Sequence, residues 1–359
     1  QMTIFSQKSG QVMESINHHN RMMSSYLSVT QSLDDFANHT YETSLRFPNW
    51  AGQERGVITN TQADDVKGKN EFCIPLVCGL FLGQDPIPLS GTWGVGGLRI
   101  ELQLAPDSNV LFSGDNSATN LLNAHYELSN VRLICETQVP PPDQLSQLMS
   151  QTTNTFVYNS ITSYYQTINS ANANINFNLA LSKVLGAYMN VVPASHINNL
   201  TRDGLATLPF SNADGSVAVV EQAVFTRGGE RYPLQYNLDT LQKETTSTTT
   251  MDSQLARNYI NSVKAFSQVG RSSVSPANFK YFGMTDNYVE AKEIIDGGSA
   301  FGLGVAYDTI SDQGISFQNV PFGVQLQLRL SSDSPQAIFL FVHSRQTCVS
   351  TPNGIQVMK

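Results

Sequence analysis

The chain of 359 residues is long enough for two domains, and its formal net charge of -8 argues against a dominant role in nucleic-acid binding, because phosphate neutralisation needs clustered Lys and Arg. Only 14% of the residues are charged, so the surface must be built largely from neutral polar side chains. Such surfaces are common in all-β proteins and in proteins that pack against copies of themselves. Four cysteines are too few for a disulfide scaffold, and no apolar run reaches the ~18 residues that a membrane-spanning helix needs.

Residues 11–29 are predicted to form an amphipathic helix, because apolar side chains recur along one stripe. The stripe consists of Val12, Ile16, Met23 and Leu27. An isolated helix of this length is marginal in water, so the stripe needs a partner. We therefore expect a helical arm over residues 1–30 and predict that the four stripe residues make assembly contacts. Packing of the arm on its own sandwich, with only a stabilising role, stays open as the alternative.

The first half of the chain continues with predicted strands. The apolar run 71–83 is typical of a buried strand or strand pair, and residues 97–104 alternate between apolar and polar side chains. In residues 124–139 the alternation changes parity at Ser129 and Asn130, which predicts a β-bulge that keeps both apolar sets on the core face. These segments predict a first sandwich.

Three prolines at 140–142 mark a boundary between two folding units. Proline cannot donate to a sheet ladder, so the strand before it must end, whereas proline is well suited to the first turn of a helix. A short helix is therefore predicted to begin at Pro142 or Asp143. The resulting domains are the arm, a first unit over 31–150 that includes the connector helix, and a second unit over 151–359.

The second unit is also predicted to consist mainly of strands. The predicted strands are 155–166, 174–182, 300–307, 314–320, 323–330 and 336–345, with hairpin turns at 214–215 and 228–229 and a helix at 252–266. Many short strands without a βαβ rhythm favour an all-β fold of two consecutive eight-stranded jelly-roll β-sandwiches with a few short helices. The similar frames of residues 97–108 and 323–334 favour an internal duplication.

No motif in the sequence predicts a catalytic, cofactor-binding or metal-binding residue. His18 and His19 are neighbours on a predicted helix and do not face one another. The adjacent pairs Asp34–Asp35 and Asp64–Asp65 lie in polar, loop-like sequence with nothing that predicts a convergent carboxylate pair. We therefore expect a protein that is not an enzyme and that requires no metal.

The chain resembles the double jelly-roll major capsid proteins of the tectivirus, adenovirus, virophage and Polinton-like virus lineage. The resemblance rests on the following segments: FCIPLVCGLF and GLRIELQLA in the first half, YELSNVRLICETQV leading into the proline connector, and FNLALSKVLGAYM, RYPLQYNLDT, RNYINSVKAF and IFLFVHSR in the second half. They cover most of the chain, although it lacks room for the long insertions of the larger members.

The resemblance implies a structural protein of the virion capsid, assembled in the interior of the host cell. It implies homotrimers whose six jelly rolls form pseudo-hexagonal capsomers that tile an icosahedral shell. The implied partners are copies of the chain, neighbouring capsomers, and penton and minor capsid proteins, with an internal membrane left open and no sequence-specific nucleic-acid binding. Two alternatives remain: a single-jelly-roll minor capsid or penton protein, and a carbohydrate-binding β-sandwich.

Overall fold

A computed structural model describes residues 1–30, 76–83, 86–110, 125–199, 210–211, 217–238, 253–267, 302–307, 314–329 and 335–359. The strands are β1 (Met2–Ser6), β2 (Val12–Ile16), β3 (Leu98–Leu102), β4 (Asn154–Ile168), β5 (Asn172–Phe177), β6 (Val184–Pro193), β7 (Phe210–Ser211), β8 (Val217–Arg227), β9 (Glu230–Tyr232), β10 (Leu303–Ala306), β11 (Phe322–Arg329), β12 (Gln336–Thr351) and β13 (Gly354–Met358). The helices are α1 (His19–Thr30), α2 (Gly79–Leu82), α3 (Asp107–Val110), α4 (Pro142–Ser150) and α5 (Ser253–Ser267). The predicted all-β class is confirmed.

The second half of the chain is a jelly roll of two antiparallel sheets. Sheet I has the order β4-β12-β6-β10, with β13 beside the far end of β12, and sheet II has the order β5-β11-β8-β9, with β7 also paired to β8. In chain order β4 lies in sheet I, β5 in II, β6 in I, β8 and β9 in II, β10 in I, β11 in II and β12 in I. This alternation of eight strands between two sheets is the double Greek key of a jelly roll.

The two sheets enclose one apolar core. On β11 the side chains of Val324, Leu326 and Leu328 are buried in this core, whereas Gln325 and Gln327 between them are exposed. Sheet II therefore has one buried and one solvent-facing surface, as its alternating sequence predicts. The predicted hairpin at 228–229 is confirmed, since both glycines have positive φ values of 55° and 100° and join β8 to β9.

Sheet I is buried on both faces. On β12 the side chains of Ile338 and Leu340 belong to the core shared with sheet II, and those of Phe339 and Phe341 belong to a second core on the opposite face. Every residue of β6 is buried as well. Two-sided burial explains why residues 337–342 of β12 form an unbroken apolar run instead of an alternating one.

The second core lies between sheet I and the N-terminal part of the chain. Strands β1, β2 and β3 form a small antiparallel sheet of order β2-β1-β3, and Met2 and Ile4 of β1 point into this core. The strand predicted at 97–104 is thus confirmed as β3. It pairs only with β1 among the described residues, whereas β11 pairs on both sides, and the internal duplication stays a prediction.

The predicted helix over residues 11–29 is wrong in its first third. Residues 12–16 form β2, whose Ile16 pairs with Met2 of β1, and the helix begins only at His19. Cross-strand pairing with β1 overrides the local helical periodicity here. His18 adopts a positive φ of 54° and separates the strand from the helix.

Two predicted strands of the first unit have different structures. The run 71–83, as far as it is described, contains the short helix α2 instead of a strand. Residues 125–139 form no strand within the described part of the chain. By contrast, the connector helix is confirmed as α4, with Pro142 in its first turn. Most other residues of the predicted first jelly roll lie outside the described ranges, so that domain stays a prediction.

Helix α5 packs on the β10 edge of sheet I through two glycines. A Cβ atom on Gly304 would lie 2.5 Å from Cα of Ser262, and one on Gly186 would lie 3.5 Å from Cα of Ala265. The backbone of the helix therefore lies directly on these strands. The helix predicted at 252–266 is confirmed, and its close approach depends on the missing side chain at position 304.

We expect Gly304→Ala to displace α5 and lower the free energy of unfolding by about 1–3 kcal/mol, the usual cost of overpacking. Gly91→Ala is the matched control, because a Cβ atom there would meet nothing within 4 Å. Chemical denaturation followed by circular dichroism measures both variants. Equal stabilities of the two variants would contradict this account of the helix packing.

Candidate functional site: the N-terminal cover of sheet I

The outer face of sheet I is covered by residues 1–30 and 76–83, which we call the N-terminal cover. Its buried apolar side chains are Met2, Ile4, Met13, Ile16, Met22, Tyr26, Val77, Cys78 and Leu80. They pack in one cluster with Tyr158, Phe339 and Phe341 of sheet I. The cover is therefore part of the folded core and not a detached arm, which corrects the interpretation of residues 1–30 from the sequence.

A buried carboxylate joins three separate segments beneath the cover. Glu14 of β2 is 2% exposed. Its Oε1 accepts hydrogen bonds from the backbone N–H groups of Gly79 at 3.1 Å and Ile161 at 2.6 Å, and its Oε2 accepts one from Leu80 at 2.9 Å. Burial raises the pKa of Glu14 to about 6, and the three N–H donors and the Cys78 thiol limit the rise.

Tyr158 of β4 also bonds to β2, at the residue next to Glu14. Its hydroxyl donates to the carbonyl oxygen of Met13 at 2.7 Å and lies 3.0 Å from Oε1 of Gln346. Burial and the nearby Glu14 raise the pKa of Tyr158 well above its ordinary value, so the hydroxyl stays protonated and can donate. Strand β2 is therefore held in place on sheet I by the hydrogen bond to the Met13 carbonyl and by the hydrogen bonds of the neighbouring Glu14 side chain.

Helix α1 is fixed by polar contacts of a different kind. Nε2 of His19 lies 2.8 Å from the carbonyl oxygen of Val77, and Nδ2 of Asn190 donates to Oγ of Ser25 at 2.6 Å. The Arg21 guanidinium lies 4.1 Å from the centre of the Phe339 ring, in cation–π geometry. Nε2 of His19 donates in this bond because the Val77 carbonyl can only accept, and burial lowers the pKa of His19.

A second buried titratable group joins α5 to sheet I. Nδ1 of His343 on β12 lies 2.9 Å from the carbonyl oxygen of Ala265. Burial lowers the pKa of His343 to about 4, and the hydrogen bond to the carbonyl opposes this shift. The imidazole is therefore neutral at physiological pH and donates through Nδ1, as expected of a structural histidine.

The structure separates the four predicted assembly residues. Val12 and Ile16 lie on β2, whereas Met23 and Leu27 lie on α1, so they form no single stripe. Ile16 is fully buried in the chain's own core, which leaves it no surface for a neighbouring subunit. Val12 is half-buried, Met23 packs against the same cluster, and the side chain of Leu27 lies outside the described set. Contacts between subunits at the other three positions stay a prediction.

The arrangement of side chains in the cover supports structural roles. In the described part of the chain, no cluster of three or more His, Cys, Asp or Glu side chains could hold a metal ion. Both aspartate pairs considered in the sequence, at 34–35 and 64–65, lie outside the described residues. Glu14 and His343 each use their polar atoms on backbone groups of another segment, which is how buried structural groups are satisfied.

Residues 125–139 form the most apolar exposed segment that the structure describes. Val131, Ile134 and Val139 are 74%, 84% and 85% exposed. The helix α4 that follows has no buried residue, and its Met149 is also exposed. Clustered exposed apolar side chains of this kind mark a surface that a partner or another segment of the chain covers. None of the described helices is long and apolar enough to cross a membrane.

The strand order and the two-sheet core place the second half of the chain in the class of jelly-roll β-sandwiches. No family model matches the sequence, and no curated protein matches it. Similar solved structures come from PBCV-1, Faustovirus, the virophage Sputnik and mavirus. PBCV-1 VP54, fitted into a cryo-EM reconstruction of the virophage Sputnik, has a TM-score of 0.47 at 10% identity, over 100% of this chain and 82% of that one.

Two further similar structures are major capsid proteins. The Faustovirus major capsid protein has a TM-score of 0.36 at 11% identity, over 58% of this chain and 36% of that one. The mavirus major capsid protein has a TM-score of 0.31 at 11% identity, over 62% of this chain and 44% of that one. This chain therefore spans less than half the length of these two proteins.

Glu14 is expected to make the stability of the chain depend on pH. Its pKa is about 6 in the folded chain against an ordinary value of 4.5, so its contribution is fully present below pH 4.5 and is lost as the pH rises through 6. The shift corresponds to about 2 kcal/mol. The free energy of unfolding of the wild type minus that of Glu14→Gln should therefore be larger at pH 4.5 than at pH 7.5. A difference that stays constant with pH would contradict this, and Glu101→Gln on exposed β3 is the control.

His343 is expected to have the opposite effect. Its pKa is about 4 in the folded chain against an ordinary value of 6.5, so its contribution is present above pH 6.5 and is lost as the pH falls through 4. The shift corresponds to about 3 kcal/mol. The stability difference between the wild type and His343→Gln should shrink over this range, measured by urea denaturation. The exposed His125→Gln provides the control, and an equal pH dependence in both variants would refute the role of His343.

Proposed function

We propose that this chain is a structural subunit of a viral capsid. The observation that carries the proposal is the jelly-roll topology of β4 to β12, in which eight strands alternate between two sheets. Viral capsid proteins, lectins and cupins are the main classes built on this arrangement. Among the described residues no cluster could hold the metal ion of a metal-binding cupin, and a depression at the β5–β11 end of sheet II has no exposed aromatic ring in its lining, so the first class is the better supported.

That depression is the feature that a carbohydrate-binding function would use. It has a volume of about 310 Å³ and lies where β5 ends and β11 begins. Its lining residues are Asn176, Phe177, Asn178, Asn319, Val320 and Pro321. The amides could bond to sugar hydroxyls, but the ring of Phe177 is only 7% exposed and cannot stack on a sugar. The capsid function is therefore the better supported of the two.

In the proposed capsid, three copies form a homotrimer whose six jelly rolls make a pseudo-hexagonal capsomer in an icosahedral shell. The sequence resemblance to double jelly-roll capsid proteins supports this arrangement, as does the low charged fraction of 14%. Surfaces with few charges can pack against copies of themselves without like-charge repulsion. Penton and minor capsid proteins are further proposed partners. Whether an internal membrane is also a partner stays open. The proposal includes no enzymatic activity.

The oligomeric state of the purified chain tests this proposal. We expect trimers by light scattering and pseudo-hexagonal particles by negative-stain electron microscopy, because a capsomer subunit buries part of its surface against its copies. A stable monomer near 39.4 kDa at micromolar concentration would contradict it. Ile134→Lys, at an exposed apolar position, should lower the trimer fraction or the stability of the fold, whereas Gln138→Lys in the same segment should change neither.

The proposed first jelly roll, over residues 31–150, has a separate test. The described single chain has no strand at residues 125–139, and we propose that residues 126–139 become the closing strand of this jelly roll in the assembled protein, with their apolar side chains facing its core. Backbone amides in that strand should exchange slowly with solvent, since strand pairing protects them. Hydrogen–deuterium exchange with mass spectrometry measures this directly. Free exchange throughout 126–139 in the assembled protein would show that the segment is not a paired strand.

A further inference from the structure

Strand β4 has an open edge that is unusually suited to pairing. It is 15 residues long, and it pairs with β12 along that whole length without a bulge. No strand pairs with its other side in the part of the chain that the structure describes. Its sequence, NTFVYNSITSYYQTI, contains no charged residue, no proline and no glycine. Long uncharged edges of high β-propensity pair readily with other chains unless something blocks them.

The hydrogen bonds of Ile161 show which groups face the open edge. Ile161 lies opposite His343 of β12, yet its N–H donates to Oε1 of Glu14 at 2.6 Å. The N–H and C=O groups of Ile161 must therefore point away from β12. Because the backbone groups of alternate residues in an antiparallel strand face the same edge, the N–H and C=O groups of the other odd-numbered residues of β4 also point away from β12. The Glu14 carboxylate occupies the place that the carbonyl of an added strand would take.

The segment 78–80 blocks the same position with its backbone. A Cβ atom on Gly79 would lie 2.5 Å from the carbonyl oxygen of Asn159 and 2.7 Å from Cα of Ser160. Only glycine can lie this close to the strand. The N–H groups of Gly79 and Leu80 bond to Glu14, so the carboxylate and the segment hold one another in place. Together they cover the middle of the edge, at residues 159–161.

We propose that Glu14 and residues 78–80 form an edge guard that prevents β4 from pairing with β4 of a second copy of this chain. The sequence of β4 indicates that the strand best suited to pair with this edge is β4 of a second copy. In an antiparallel pair of identical β4 strands, neutral side chains meet neutral side chains and the outward N–H and C=O groups match. A buried charge and a covering segment at an edge are known ways to prevent such pairing. The inference holds whether or not the chain is a capsid subunit.

Gly79→Ala tests the guard directly, since its Cβ atom must push residues 78–80 away from the edge. We expect the variant to form additional, concentration-dependent species beyond the assembly state of the wild type, with at least a tenfold larger associated fraction by sedimentation velocity. Gly83→Ala is the matched control four residues on, where the nearest atom to the new Cβ is the carbonyl oxygen of Leu80 at 3.8 Å. If folded Gly79→Ala keeps the assembly state of the wild type, the proposal is overturned.

A second substitution shows whether the association runs through β4. Val157 is exposed and its odd number places its N–H on the open edge. Val157→Lys in the Gly79→Ala background should abolish the additional species, because a lysine on the edge opposes pairing. Association that persists would mean that another surface is responsible and would refute the guard.

The wild-type chain supplies a measurement that needs no variant. The amide of Ile161 should exchange with solvent at least tenfold more slowly than the amide of Val157, since both face the open edge and only Ile161 bonds to Glu14 among the described contacts. This result shows whether Glu14 caps the edge at Ile161 in solution, which the proposal requires. Equal exchange of the two amides would overturn the proposal.

Discussion

The apolar run from Ile338 to Val342 commits β12 to burial on both of its faces. One face meets sheet II, and the other would expose Phe339 and Phe341 to water if nothing covered it. Burying each such side chain is worth about 1.5–3 kcal/mol. A sheet with this central strand therefore needs a second layer, and the N-terminal cover supplies it. The position of β1, β2, α1 and α2 follows from this requirement.

The polar groups under the cover make its position specific. Apolar contacts alone would allow β2 and the 78–80 segment to slide over sheet I, since the hydrophobic effect is non-directional. The Glu14 carboxylate satisfies donors on Gly79, Leu80 and Ile161 in one arrangement only. An apolar residue at position 14 would leave these donors without that acceptor, which costs about 1–3 kcal/mol for each buried group. These hydrogen bonds offset the cost of burying the carboxylate, and they fix the position of β2 on sheet I.

Local sequence patterns predict the helices and the hairpin turn outside the cover well and the cover poorly. The glycine pair at 228–229, the α5 periodicity and the Pro142 helix start each depend on neighbouring residues, and all three are confirmed. The strand at Val12–Ile16 depends on pairing with β1, which a helical periodicity cannot reveal. Glu14 also escapes notice, because a lone acidic residue in a sequence is typical of solvent exposure. Its donors lie up to 147 residues away. The apolar run at 71–83 predicts burial correctly at Val77 to Leu80, but the strand assigned there is wrong because the segment crosses the β4 edge as a short helix.

The burial of both faces of sheet I limits where two copies of the chain can make contact. The outer face of sheet I is occupied by the cover, so it offers no surface to a neighbour, while the outer face of sheet II carries Gln325 and Gln327 in contact with solvent. The middle of the β4 edge is blocked by Glu14 and Gly79. On the opposite sheet, the β5 edge presents exposed Asn172, Asn174 and Asn176, which carry no charge. Amides can exchange hydrogen bonds with a neighbouring copy without electrostatic repulsion. In the proposed capsid, contacts between copies would therefore form at neutral polar surfaces such as this one and at the exposed apolar segment 125–139, and not along β4.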